Sequence, residues 1–176
     1  PYSASKASAD HFVKAFQKTY NLPTIISYSS NNFGPFQNDE KLIPKIISCV
    51  KKNKDIPIYS DGSNVRDWIY VEDHCNAVKL ILEKGTPGEE YFIGGSNEMS
   101  NLEICKLILE IIDTIIPCKN NKKYMDKIKF VKDRKGHDYR YSLKTSKIFY
   151  DFGIFKNSSF NENLKHTISH YLNLKK

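Results

Sequence analysis

Short runs of β-branched and aromatic residues alternate along this chain with longer stretches whose apolar residues recur at the helical period, and that alternation restricts the fold to an α/β architecture. Residues 24–28, 56–59, 65–71, 91–93 and 128–132 read as strands. Residues 3–20, 42–52, 73–84, 102–116, 145–152 and 161–173 read as helices. Phe12, Val13, Phe16 and Tyr20 give the first helix a face to bury, and residues 102–116 are apolar on nearly every side, which predicts deep packing. Turn chemistry marks Asn31-Asn32-Phe33-Gly34-Pro35 as a loop and Gly85-Thr86-Pro87-Gly88 as a helix stop. The Asp73 carboxylate and the Ser100 hydroxyl are the expected caps of the third and fourth helices, with Trp68 read as packing and His74 as capping. The short strands around Ile58 and Ile69 point to a smaller appended subdomain.

With 40% hydrophobic and 27% charged residues, the 176-residue chain has the composition of a folded domain rather than a disordered one. Its net charge of +7 is spread over Lys51, Lys52, Lys54, Lys119, Lys122, Lys123, Lys175 and Lys176 rather than gathered in one stripe. That favours a solvated surface over nucleic-acid binding, while a small anionic ligand stays compatible. Cys49, Cys75, Cys105 and Cys118 have neither zinc-site spacing nor disulfide-scaffold density, and read as reduced thiols of a cytoplasmic protein. No apolar run reaches the roughly 20 residues of a membrane span. There is no initiator methionine, and the sequence enters at once into Tyr2-Ser3-Ala4-Ser5-Lys6, which reads as a start in mid-fold.

Tyr2 and Lys6 stand four apart on a helix, so both side chains leave the same face one turn apart. A lysine ammonium beside a phenol favours the phenolate, which suits a tyrosine that exchanges protons with a substrate hydroxyl. The string Pro1-Tyr2-Ser3-Ala4-Ser5-Lys6-Ala7-Ser8 resembles the active-site helix of the extended short-chain dehydrogenases that act on nucleotide sugars. The resemblance continues in order through Ser30-Asn31-Asn32-Phe33-Gly34-Pro35, Glu40-Lys41-Leu42-Ile43-Pro44, Pro57-Ile58-Tyr59, Arg66-Asp67-Trp68-Ile69-Tyr70-Val71-Glu72-Asp73-His74 and Tyr91-Phe92-Ile93-Gly94-Gly95. Asp133-Arg134-Lys135-Gly136-His137-Asp138-Tyr139-Arg140-Tyr141 is similar to the branch that dehydrates dTDP-glucose.

The resemblance implies a role for each matching residue. Tyr2 and Lys6 would be catalytic and, with Asn32, would hold NAD. Asn31, Lys41 and Leu42 would meet the sugar and its diphosphate, Pro57, Ile58 and Tyr59 the nucleoside base, and Arg66, Asn101 and Arg134 the diphosphate. Guanidinium forks and amide donors suit a diphosphate, and an aromatic or apolar slot suits a base. Each position also has a plainer reading: Arg66 in a surface ion pair with Asp67, Asn101 as a helix start beside Ser100, Tyr59 as core. His137 reads equally as a phosphate neighbour or as half of a structural pair with Asp138. The chain departs from the family at Tyr28, Phe33, Phe36, Lys135 and Lys144, none of which removes a catalytic group.

The resemblance implies the C-terminal part of a Rossmann-type NAD-binding fold plus a smaller α/β substrate-binding subdomain. Residues 1–34 would end the cofactor domain, residues 35–176 would mainly bind nucleotide sugar, and residues 72–95 would return to the cofactor domain. It also implies a homodimer without nucleic-acid or membrane partners, with NAD as recycled cofactor and dTDP-glucose as substrate. The glycine-rich turn that cradles a dinucleotide pyrophosphate is absent from the sequence, as is the family's Thr-Asp-Glu segment for the elimination step, so this chain alone is expected to be catalytically silent. The apolar face of the first helix is then expected to lie exposed and to make the isolated chain associate. A UDP-sugar epimerase or decarboxylase, and a non-catalytic sugar-nucleotide binding module, stay open at this point.

Overall fold

The computed structural model describes residues 1–118, 123–152 and 158–173. Lys119, Lys122, Lys175 and Lys176, read above as scattered surface charge, lie outside the described residues. The chain is α/β, with mostly parallel strand pairs. Helix α1 (Tyr2–Tyr20) ends at Asn21, whose left-handed backbone (φ 56°) a short polar side chain tolerates. Strand β1 (Ile26–Ser29) pairs in parallel with β5 (Glu90–Ile93), Ser27 beside Tyr91.

The segment expected to be a loop at residues 31–35 is part strand. Asn31–Phe33 forms β2, parallel to β4 (Val65–Tyr70), with Asn31 beside Trp68 and Phe33 beside Tyr70. Asparagine is a poor strand former, but the ladder and the burial of Phe33 at 1% exposure outweigh that local preference. The N-terminal half of β4 pairs with β6 (Glu98–Ser100) and with β8 (Arg140–Tyr141), so β4 is shared by every strand of this sheet. β3 (Ile56–Tyr59) pairs in parallel with β7 (Ile128–Val131).

The larger core joins α2 (Leu42–Lys51), α4 (Asn101–Ile115) and α6 (Phe160–Tyr171) around Phe33, Ile47, Trp68, Ile108 and Leu164. The smaller one packs α3 (Val71–Lys84), β5 and α5 (Ser146–Phe152) around Ile69, Ala77, Ile81, Tyr91 and Ile148. Helix α4 buries Ile104, Cys105, Ile108, Leu109, Ile111 and Ile112, as its all-round apolar sequence predicts. At about 1.5–3 kcal/mol for each large apolar side chain removed from water, it anchors the larger core. Ser100 caps this helix as expected: its Oγ accepts from the Glu103 amide (3.1 Å), and Glu103 Oε2 accepts from the Ser100 amide (2.7 Å).

Two expected caps are not caps. Helix α3 starts two residues before Asp73, with Tyr70 at the N-cap position, and the buried Asp73 carboxylate instead accepts from Ser158 N (3.0 Å) and Oγ (2.7 Å). It thereby ties the chain entering α6 to α3. His74 lies within the same helix, partly buried, and that burial draws its imidazole below the ordinary value. Helix α1 has no buried residue: Phe12, Phe16 and Tyr20 are 66%, 51% and 68% exposed. The face it turns to the sheet is polar, with Tyr28 Oη donating to Asp10 (3.2 Å) and Lys14 Nζ paired with Glu90 (2.5 Å).

Candidate functional site

Tyr59 ends β3, and the turn after β7 brings Asp133, Arg134 and His137 up to it. The Arg134 guanidinium carbon lies 5.3 Å from the Tyr59 ring centroid, a cation over an aromatic face. The His137 ring meets the same tyrosine edge-on at 6.2 Å. His137 Nε2 is 3.0 Å from Arg134 Nη2, and its Nδ1 is 2.7 Å from Asp133 Oδ1. Arginine can only donate, so Nε2 accepts and Nδ1–H donates to the carboxylate, which fixes the tautomer. That hydrogen bond holds the Asp133 carboxyl below its ordinary range. The partner of His137 is therefore Asp133, four residues back, and not the adjacent Asp138.

Arg66 on β4 reaches the far end of the same turn. Its Nη2 donates to the Asp138 carbonyl (2.7 Å), and its Nη1 to those of Val65 (2.6 Å) and Tyr139 (3.4 Å). Partial burial draws the guanidinium below its ordinary value, with Asp138 opposing and Arg134 reinforcing the shift, but an arginine stays cationic. The surface ion pair of Arg66 with Asp67 does not form. Strand alternation sends Asp67 to the other face, where at 2% exposure it accepts from Gly95 N (2.8 Å) and Asn97 N (2.7 Å). Gly94 and Gly95 serve this packing: a Cβ on Gly95 would overlap the Trp68 carbonyl oxygen, and one on Gly94 would stand 2.7 Å from Asp67 Oδ2.

Asn101 opens α4 beside its cap, 9% exposed. Its amide donates to the Asn64 carbonyl (3.0 Å), the Leu102 amide donates to that of Gly62 (3.0 Å), and Ser100 holds the Glu103 amide. The first amides of this helix are thus engaged, and Asn101 has only its side chain to offer a ligand. Asn64, which the sequence reading passed over, is 5% exposed, and its Nδ2 donates to the Asp138 carbonyl (3.2 Å). A buried asparagine inside a Gly-Ser-Asn turn carries no distinctive pattern, so only the fold reveals it.

The structure therefore gathers Tyr59, Arg66, Asn101, Arg134 and His137 into one cluster. Asn31, beside Trp68, lies two strand positions from Arg66, roughly 7 Å along β4. Asn32 Nδ2 donates to the Ser30 carbonyl (3.2 Å), while its buried Oδ1 has no partner among the described residues. Lys41 is the exposed residue before α2, and Leu42 begins that helix against the larger core. Ile58 is 1% exposed, so of the expected base slot Tyr59, at 42%, and the half-buried Pro57 present surface. Tyr59 is not core. Tyr2, 78% exposed, and Lys6, also exposed, make no side-chain hydrogen bond, ion pair or ring contact with any described residue, the other candidates included.

Among the described residues no cluster of His, Cys, Asp and Glu fits a metal ion, and no helix is long and apolar enough to cross a membrane. A family model described as GDP-mannose 4,6 dehydratase matches residues 1–167. A dTDP-glucose 4,6-dehydratase of Haemophilus influenzae is 49% identical over 174 residues, covering 98% of this chain and 52% of its own length. The crystal structure of that enzyme from Bacillus anthracis in complex with NAD superposes with a TM-score of 0.87 at 41% identity, over 99% of this chain and 52% of that one. The Streptomyces venezuelae structure, with NAD and TYD bound, gives 0.90 at 37% identity, over 99% and 51%. The chain spans about half the length of the curated relatives it matches.

Proposed function

This chain belongs to the GDP-mannose 4,6 dehydratase family, and from that premise we propose that it is the substrate-binding and proton-transfer part of a lyase that converts dTDP-glucose to dTDP-4-keto-6-deoxyglucose with NAD. Such a product is a precursor of deoxysugars, rhamnose among them. The observation that carries the reading is the convergence of Tyr59, Arg66, Arg134 and His137 from three separate segments. Two guanidinium groups suit the two phosphates, and the exposed face of Tyr59 with Pro57 suits a planar base. Asn101 would add an amide, His137 would stand beside the phosphates, and Asn31, Lys41 and Leu42 would line the hexose side.

Tyr2 and Lys6 would meet NAD and sugar together. Their side chains are unspent among the described residues, and Asn32 keeps a buried acceptor without a donor, which fits the nicotinamide end of that cofactor. NAD, when bound, supplies hydride exchange with the sugar carbons. Tyr2 takes the proton of the 4-hydroxyl through its phenolic oxygen, and Lys6 holds the ribose one turn away. Residues 1–34 and 72–95 would then belong to the cofactor domain, a division supported by the smaller core, where α3 and β5 pack beside β1. The exposed Phe12, Phe16 and Tyr20 face fits a helix shared between subunits of a homodimer, and free Cys49, Cys75, Cys105 and Cys118 fit a cytoplasmic enzyme.

Calorimetric titration of the complete enzyme tests this. dTDP-glucose should bind more tightly than UDP-glucose or GDP-mannose, and an equal or reversed preference would overturn the substrate assignment.

A further inference from the structure

Asn64 is 95% buried by its 5% exposure, and it touches both halves of the cluster at once. Its carbonyl holds the first amide of α4, at Asn101, and its side-chain Nδ2 donates to the Asp138 carbonyl. The next amide along the strand, Val65 N, donates to the Tyr139 carbonyl (2.8 Å). The turn that carries Asn64 is itself fixed. Asp61 Oδ1 accepts from Ser63 N (2.9 Å), and Gly62, at φ 77°, lies so close to α4 that a Cβ would stand 2.9 Å from both Ile58 Cγ2 and Leu102 Cβ.

The Asp138 carbonyl receives two donors, Asn64 Nδ2 and Arg66 Nη2. With Asn64 in place, that carbonyl keeps a partner when Arg66 turns its Nη2 toward an anion. Without it, Arg66 is the carbonyl's only side-chain donor among the described residues, and withdrawing Arg66 would strand an acceptor, which opposes the turn. We propose that Asn64 is a positioning residue for nucleoside diphosphate binding: it seats Asn101 and the Arg134–His137 turn, and it leaves Arg66 able to reach phosphate. This rests on the reading that the cluster holds a diphosphate.

The test is titration of dTDP and of thymidine into the wild-type protein and into Asn64→Leu and Asn64→Asp. The aspartate variant keeps the shape of the side chain while replacing its donor with an acceptor, and circular dichroism checks that each variant is folded. Loss of this donor should weaken dTDP binding about tenfold in both folded variants, with thymidine changing by less than about twofold. Wild type that binds dTDP beside folded variants that bind it equally well overturns this inference alone. An equal loss for thymidine overturns it too, because the damage would not be confined to the phosphates. Wild type that fails to bind dTDP overturns the diphosphate reading and this inference with it.

Discussion

Replacing Arg66 by alanine removes a half-buried guanidinium that already donates to the Asp138 carbonyl at 2.7 Å and, more weakly, to that of Tyr139 at 3.4 Å. A hydrogen bond to a charged group is worth about 1.5–3 kcal/mol net, so losing one such bond to phosphate should weaken dTDP binding by about 10- to 150-fold. Partial exposure places the expectation in the lower half of that range, since solvent screens the charge. Arg66→Lys keeps the charge but lacks the fork that spans a carbonyl and an anion together, so it should recover less than about half of the lost free energy. Calorimetric titration of dTDP into the three proteins reads this directly. An Arg66→Ala protein with an unchanged Kd would refute the reasoning and reduce Arg66 to a staple for the 138–139 backbone.

In the complete enzyme, Tyr2→Phe should lower turnover by at least about 100-fold, the usual loss on removing a general acid/base, with substrate binding little changed; near-normal turnover would remove Tyr2 from the chemistry. Asp67→Ala strips the buried amides of Gly95 and Asn97 of their carboxylate acceptor and should cost about 2–4 kcal/mol in urea unfolding, with Asp67→Asn costing less. The Asp133 and Glu98 carboxyls are held low by hydrogen bonds from His137 and Arg140, so their folded values lie below their unfolded ones. Their stabilisation is complete above about pH 4.5 and is lost as pH falls through the folded values. Their carboxyl NMR signals should therefore titrate below the ordinary glutamate and aspartate values, and midpoints at or above those values would contradict the assignment.

Elements with a long period and a matching cap were legible in the sequence. The 102–116 helix and its Ser100 cap are the clearest case, because both signals are local and mutually consistent. What the sequence could not show is set by partners far along the chain. Asn31–Phe33 becomes a strand only because β4 lies beside it, and β6 and β8, of three and two residues, are too short to display a period. Asp73 has the residue type of a cap but finds Ser158, 85 positions away. The inward side of α1 could not be chosen from its period alone, since Asp10 and Lys14 recur as regularly as Phe12 and Phe16. Within the site, individual residue types were legible through their motifs, whereas the pairing of His137 with Asp133 and the grip of Asn64 on Asp138 follow only from how the turn after β7 returns to β4.

The closed N-terminus of α4 has a consequence for how such a site can change over generations. Main-chain amides hold an anion whatever residue supplies them, so a site built on them resists drift but offers little to select upon. Here those amides are occupied by Asn64, Gly62 and Ser100, so under the proposed function recognition falls to side-chain tips: the Arg66 guanidinium on β4, Arg134 and His137 on the turn after β7, and the Asn101 carboxamide at the start of α4. Each tip is a single codon. Under the proposed function, a lineage would retune the base it accepts by substitution at residue 59 and its grip on the phosphates at residues 66, 134 and 137 while the scaffold beneath stays untouched, which is how one fold can spread over many related ligands without being rebuilt.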